Sequence, residues 1–190
     1  MVLLASTVLC LLIVLLTGGK VSGLAGVRFK GLHFLVAAIC IRLLLAAPFL
    51  GPWLAAPLAG DLRYGGALYI LSLFVTLLAL VSNWHVPGLK LVSFGMFLNF
   101  LVIAANLGQM PSALHNLGIT GYAGPRPGEW STFVVMDEDT PLWFLGDNFP
   151  VPPPWPLRSL VSLGDLVIVG GIFWFLQKVM KAFSPRTRQA

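Results

Sequence analysis

The sequence predicts an all-α integral membrane protein with five transmembrane helices, and three observations indicate this class. Apolar runs of about 17–22 residues recur along the chain, and this length is enough to cross ~30 Å of hydrocarbon. Charged residues make up 10% of the 190 residues and mean hydropathy is +0.88, whereas soluble proteins contain ~25% charged residues. The third observation is that acidic and basic residues fall in different segments.

All seven carboxylates lie on one predicted side of the membrane, and eight of the twelve cations lie in the segments on the other side. The carboxylates are Asp61, Glu129, Asp137, Glu138, Asp139, Asp147 and Asp165. The eight cations are Lys20, Arg28, Lys30, Lys90, Lys178, Lys181, Arg186 and Arg188. Because cytoplasmic loops carry an excess of Lys and Arg, the pattern predicts an N-out/C-in orientation. The net charge of +5 then reflects cations that meet anionic headgroups, with no nucleic acid as partner.

The first two predicted spans are residues 2–17 and 32–50. The first span lacks the basic n-region of a signal peptide, so we interpret it as a retained helix. Lys20 follows it at once, which places its N-terminus outside. The second span ends at Pro48 and Gly51-Pro52, because proline does not continue a helix.

The other three spans are predicted at residues 65–82, 88–107 and 159–177. A tight turn at 82–87 separates the third span from the fourth, and the fifth ends in the basic tail. These spans form a single membrane domain over residues 1–190, with no room for a separate soluble domain.

A polar loop rich in proline and glycine, residues 108–158, links spans four and five. Unstructured loops longer than ~15 residues are usually functional or disordered, and the aromatic side chains of this one are atypical of disorder. We therefore expect a short extracytoplasmic cap. Pro111 favours an interfacial helix near residues 110–117, and the proline run at 151–156 favours polyproline II.

Four polar residues within or at the ends of the spans predict a buried polar cluster near the outer face. Arg42, Asn99 and Asp165 come from three spans at similar depth, so Asp165 is expected to accept hydrogen bonds from Arg42 and Asn99. Asn106 lies seven residues after Asn99 on the same helix face and extends the polar track outward. Such a cluster fixes helix packing without chemistry. In a second interpretation Arg42 extends toward the headgroups and leaves Asp165 free.

Three segments resemble the recurring motifs of an uncharacterised family of bacterial polytopic membrane proteins, a domain of unknown function. They are Asn106-Leu-Gly-Gln-Met-Pro111, Phe144-Leu-Gly-Asp-Asn-Phe-Pro-Val-Pro152 and Ser162-Leu-Gly-Asp165. The resemblance implies a membrane fold over essentially the whole chain and implies no activity.

About thirty residues also resemble lipoprotein signal peptidase. Ser162-Leu163-Gly164-Asp165 stands where that family has Asn-x-Ala-Asp, and Asp147 precedes it at comparable spacing. The resemblance implies that Asp147 and Asp165 are a catalytic pair. The chain departs from that family in having no Asn-x-x-Asp-Arg motif at the end of a preceding helix, and in its number of spans.

Two functions follow from the sequence. The first is a non-catalytic accessory or binding component of the bacterial inner membrane, whose outer cap contacts lipid or other membrane-protein subunits. The second is a membrane aspartyl hydrolase in which Asp147 and Asp165 share a proton and activate water. No phosphate loop, dinucleotide fingerprint or Cys-x-x-Cys pair is present, so neither hypothesis includes a cofactor or a metal.

Overall fold

The computed structural model describes residues 2–119, 130–151 and 159–181, and most of these residues are helical. The α-helices of these ranges are α1 Val2–Leu16, α2 Leu32–Leu45, α3 Gly51–Ala55, α4 Tyr64–Val81, α5 Leu89–Ala105 and α6 Leu163–Lys181. The short strands are β1 Pro57–Ala59, β2 Leu62–Arg63, β3 Met110–Ser112, β4 Phe133–Val135, β5 Phe149–Pro150 and β6 Leu160–Val161.

Two helices, α4 and α6, are long and apolar enough to cross a membrane, and α1, α2 and α5 are shorter apolar helices. The 14 residues of α2 extend only ~21 Å at 1.5 Å per residue. The sequence predicted that this segment would continue to residue 50. It stops earlier because Pro48 has no amide hydrogen to donate to a continuing helix, and a 3-10 turn at Pro48–Leu50 follows.

The long helices pack in the order α2, α4, α5, α6, α1. Contacts between the segments that connect these helices show which helix termini lie at the same end of the bundle. The amide of Lys20 donates to the carbonyl of Met180 at 3.0 Å, so α1 and α6 run in the same direction. The side chain of Asn83 bonds both the amide (2.7 Å) and the carbonyl (2.8 Å) of Lys30, which joins the start of α2 to the turn between α4 and α5.

Charge is divided between the two ends of this bundle. Six cations lie at the end that holds these contacts: Lys20, Arg28, Lys30, Lys90, Lys178 and Lys181. The described carboxylates lie toward the opposite end: Asp61, Asp137, Glu138, Asp139, Asp147 and Asp165. The segregation seen along the sequence is therefore also a segregation in space.

Glycines allow α5 and α6 to approach closely as an antiparallel pair. A Cβ at Gly95 would lie 2.5 Å from the carbonyl oxygen of Gly164, and a Cβ at Gly171 would lie 2.7 Å from the amide nitrogen of Val92. Gly164 and Gly171 are seven residues apart and so face the same side of α6. The adjacent Gly170 faces open space.

A cap of strands and turns, formed by the described parts of residues 106–162, covers the acidic end of the bundle. In it β3 pairs with β4 in parallel, and β5 pairs with β6 antiparallel. The helix expected near residues 110–117 was wrong: β3 is followed by a 3-10 turn at Leu114–Leu117. Strand pairing with a distant segment overrode the local preference of Pro111. Most of the predicted polyproline segment lies outside the described residues.

Candidate functional site

A cavity of about 760 Å³ lies between the long helices and the cap, and charged and polar side chains line its cap-side end. This polar end contains Arg42 from α2, Tyr69 from α4, Asn99 from α5, Asp165 from α6, and Ser112 and Asp147 from the cap. Each of these four helices contributes its residue within about six positions of its cap-side terminus, or ~9 Å along the helix axis. The polar end therefore lies just below the cap.

Asp165 belongs to a hydrogen-bonded network between α5 and α6. Its Oδ1 accepts a bond from Asn99 Nδ2 at 2.8 Å, and Ser162 Oγ donates to Asn99 Oδ1 at 2.9 Å. Ser162 Oγ in turn accepts from the amide of Asp165 at 3.0 Å, as an N-cap residue does. The carboxylate also lies in the first turn of α6, where the helix dipole favours negative charge.

The sequence placed Asp165 about four residues deeper in its helix. In the structure Leu160–Val161 is strand β6 and α6 begins at Leu163. The pairing of β6 with β5 takes up the residues that were expected to form the first turn of the span. The carboxylate thus lies at the helix terminus, beside the cap.

The cap carries Asp147 to the same cavity. The amide of Asp147 donates to the carbonyl of Pro111 at 2.8 Å, and its carbonyl accepts from Ala113 at 3.0 Å, so the residue is held alongside β3. Ser112 Oγ donates to Asp147 Oδ2 at 3.3 Å. The pKa of the Asp147 carboxyl is raised to about 7. Burial is the largest cause, the negative charge of Asp165 adds to the rise, and the bond from Ser112 opposes it.

Arg42 does not have the partner that the sequence suggested. Within the described residues Arg42 forms no ion pair with Asp165 or Asp147, and it is exposed where a buried position was expected. Its guanidinium lies over the ring of Tyr69, 5.4 Å from the ring centroid. The flat, weakly hydrated guanidinium stacks well on an aromatic ring, and this contact replaces the expected ion pair.

Asn106 is also separate from the predicted cluster. Its Nδ2 donates to the carbonyl of Val102 at 2.7 Å and to that of Pro141 at 2.9 Å. It closes the end of α5 against the cap and does not line the cavity. The reason is that α5 ends at Ala105, so the seven-residue helical spacing from Asn99 no longer holds at residue 106.

The cavity also extends along the helices away from the cap, where its lining is apolar except for Thr76 of α4. Leu35 and Ile39 of α2, Leu73 of α4, Met96 of α5 and Ile168 of α6 line it. Leu35 lies seven residues beyond Arg42, which corresponds to ~10 Å of depth. The cavity is thus amphipathic: its charged groups lie at the cap end, beside apolar cap residues such as Leu114 and Phe133, and its part inside the bundle is mainly apolar.

Sequence reasoning missed three of the polar residues at this site, namely Tyr69, Ser112 and Ser162. The Ser-x-x-Asp spacing of Ser162 and Asp165 is a recognisable helix-start signal and could have identified the network. Ser112 and Tyr69 carry no such local signal, because their roles depend on contacts with Asp147 and Arg42. Across the described ranges, no three His, Cys, Asp or Glu side chains form a group able to hold a metal ion.

Fold and site together define a mostly helical protein with two candidate membrane-spanning helices and a cap over an amphipathic cavity. The chain belongs to a family of unknown function (DUF5317), whose profile matches residues 26–177. It is 26% identical over 173 residues to an uncharacterized protein of Thermotoga maritima, covering 88% of this chain and 85% of the relative. No solved structure is significantly similar to the chain.

Proposed function

We propose that this protein is a bacterial inner-membrane protein with five spans, oriented N-out/C-in, that binds an amphipathic ligand as a non-catalytic accessory or binding component. The amphipathic cavity below the cap is the observation on which this proposal rests. Membrane location, orientation and ligand are supported by separate features.

Exposed apolar side chains on every long helix support five spans. Leu4, Leu43, Leu71, Phe94 and Trp174, one from each of α1, α2, α4, α5 and α6, are all exposed. Exposure of large apolar side chains on all five helices is what contact with a membrane requires. A bilayer accommodates helices that are shorter than its hydrocarbon thickness by local thinning, so α2 is not too short to be a span.

The division of charge supports the orientation. The basic end of the bundle fits the cytoplasmic side, and the acidic end with its cap fits the outer side. The cap exposes Trp143, Phe144 and Phe149, aromatic residues that are favoured at the level of the lipid headgroups. We expect this surface to contact headgroups or neighbouring membrane proteins.

The cavity supports binding of an amphipath. In the proposed orientation its polar end lies near the outer membrane surface and its apolar end points toward the bilayer midplane, which is the direction of a lipid in the outer leaflet. Ile39 lines the cavity and is also exposed on α2, so the cavity is accessible from the side of the bundle. A ligand could therefore enter from the bilayer.

Native mass spectrometry of the full chain, purified from membranes in a mild detergent, tests this proposal. We expect a bound lipid on the wild type, and its loss from Leu35→Trp, which fills the apolar end of the cavity. Val36→Trp is the matched control, because the neighbouring side chain is 59% exposed and does not line the cavity. Equal lipid occupancy in all three proteins, or none in the wild type, would contradict the proposal.

A second candidate function, a membrane aspartyl hydrolase, is favoured by one observation. Asp147 and Asp165 line the same cavity, and the charge of Asp165 contributes to raising the pKa of Asp147 to about 7. A carboxyl with a pKa near 7 is suited to act as a general acid beside a second carboxylate.

The hydrolase is tested by incubating the full chain in liposomes of bacterial membrane extract and comparing the products by mass spectrometry. A product formed by the wild type, and absent with both Asp147→Asn and Asp165→Asn, would replace the non-catalytic proposal. If neither substitution changes the products, the carboxylates serve binding and folding alone.

A further inference from the structure

We propose that the cavity binds a zwitterionic phospholipid with a primary ammonium headgroup, its phosphate at Arg42 and its ammonium at Asp147 and Asp165. This inference rests on the proposed function and names the ligand class. The observation behind it is that Arg42 and the two carboxylates, Asp147 and Asp165, all in the described part of the chain, line one cavity and form no ion pair with each other.

Arg42 supplies the cationic side. Its guanidinium is positioned by the Tyr69 ring, and within the described residues it has no carboxylate partner. A guanidinium has five N–H donors, and the contacts of Arg42 with the ring and the hydroxyl of Tyr69 leave most of them available. Arg42 is exposed and also lines the cavity, as a phosphate entering from the bilayer surface requires. Arginine binds phosphate through two parallel hydrogen bonds.

Asp165 and Asp147 supply the anionic side. Asn99 occupies Oδ1 of Asp165, and Ser112 occupies Oδ2 of Asp147, so each carboxylate retains an oxygen for a ligand. An ammonium group has three N–H donors and no acceptor, which matches two ionised carboxylates, and its positive charge would favour the ionised form of Asp147. A quaternary ammonium has no N–H donor and is recognised by aromatic rings, and here the ring of Tyr69 already contacts Arg42.

The charges that line the cavity disfavour binding of other headgroups. Isolated ions of opposite sign at membrane depth are costly and normally pair. A ligand that brings both charges compensates Arg42 and the carboxylates together. An anionic headgroup without an amine would compensate Arg42 alone and would face Asp165. The acyl chains would lie against Leu35, Leu73, Met96 and Ile168.

Thermal melting of the purified full chain in mixed micelles tests the headgroup. The probes are phosphatidylethanolamine, phosphatidylcholine and phosphatidylglycerol with identical dioleoyl chains. The measured quantity is the lipid concentration that gives half of the maximal rise in melting temperature. Because hydrogen bonds to charged groups distinguish strongly between headgroups, we expect this concentration to be about tenfold lower for phosphatidylethanolamine than for the other two lipids. Asp165→Asn should remove this preference and leave residual binding of all three lipids through the apolar end.

Two exposed residues provide matched controls: Asp61→Asn and Arg28→Gln remove the same charges away from the cavity and should keep the preference. Arg42→Gln should weaken phosphatidylethanolamine and phosphatidylglycerol alike. If all three lipids stabilise the wild type equally, the headgroup assignment fails while the binding function stands. If no lipid stabilises it, both fail. A preference that survives Asp165→Asn and Asp147→Asn would also overturn the assignment.

Discussion

Asp165 has a structural role that is independent of any ligand. It lies in the first turn of α6, its amide bonds the N-cap hydroxyl of Ser162, and its carboxylate joins α6 to Asn99 of α5. The sequence suggested that polar residues hold the helices together, with Arg42 and Asn99 both bonding Asp165. Of these two contacts, the structure forms the one from Asn99.

A double-mutant cycle on Asn99 and Asp165 measures this contact. A hydrogen bond to a charged group contributes ~1.5–3 kcal/mol, so we expect Asn99→Ala and Asp165→Ala to couple by about that amount in detergent unfolding. The matching cycle on Arg42 and Asp165 should be close to additive, since these side chains form no ion pair. Strong coupling between Arg42 and Asp165 would contradict the observed geometry.

Asp147 makes stability depend on pH. Its pKa is about 7 in the folded protein, against an ordinary value of 3.8, so the folded state binds the proton more tightly than the unfolded state. The resulting stabilisation is fully present below pH ~4 and is lost as the pH rises through about 7, with a total of up to about 4 kcal/mol. Asp147→Asn should therefore gain stability over the wild type as the pH rises.

Melting curves of the wild type and of Asp147→Asn between pH 5 and pH 8 test this expectation. We expect the variant's advantage to grow by a few kcal/mol up to pH 7 and then to stay constant. Asp61→Asn, at an exposed position, is the control and should show no such change. A constant difference at all pH values would mean that Asp147 titrates normally.

At the level of elements, the packing of α5 against α6 positions the polar end of the cavity. Gly95 and Gly164 lie where the two helix backbones approach closely, and a Cβ on Gly164 would overlap Asn99 Oδ1. The contact between these helices and the bond from Asn99 to Asp165 therefore depend on the same glycine.

Gly164→Ala should lower the free energy of unfolding by about 1–3 kcal/mol, since overpacking at a tight contact costs this much. Gly170→Ala is the control on the same helix: a Cβ there meets open space, and replacing a helical glycine by alanine stabilises by ~0.5–1 kcal/mol. Unfolding midpoints of the two variants should move in opposite directions. A neutral Gly164→Ala would show that α5 and α6 separate easily.

The sequence predicted the helices better than the contacts. Long apolar runs locate α4, α5 and α6 to within a few residues, because helix hydrogen bonds are local and their apolar content is visible in the chain. The position of Asp147 beside β3 and the parallel pairing of β3 with β4 involve residues more than twenty positions apart, with no local signal. Arg42 contacts Tyr69 and not Asp165, and this likewise depends on side-chain geometry that cannot be read from residue spacing.

On the scale of the whole molecule, the two ends of the bundle differ in charge, in shape and in proposed environment. The basic end is closed by short turns and by the bond between Asn83 and the backbone of Lys30. The acidic end carries the cap and the polar part of the cavity. The membrane leaflet from which the cavity could bind a lipid therefore depends on which end of the bundle faces the outside of the cell.

Cysteine labelling in intact cells tests the orientation. In a background where Cys10 and Cys40 are replaced by Ala, we expect Asp139→Cys to react with a membrane-impermeant maleimide, because this exposed residue lies in the cap. Lys90→Cys, exposed at the basic end, should react only after permeabilisation, as the positive-inside rule predicts. The reverse pattern would place the polar end of the cavity on the cytoplasmic side, and the ligand would then come from the inner leaflet. Labelling of both positions in intact cells would mean that the chain does not hold a single orientation.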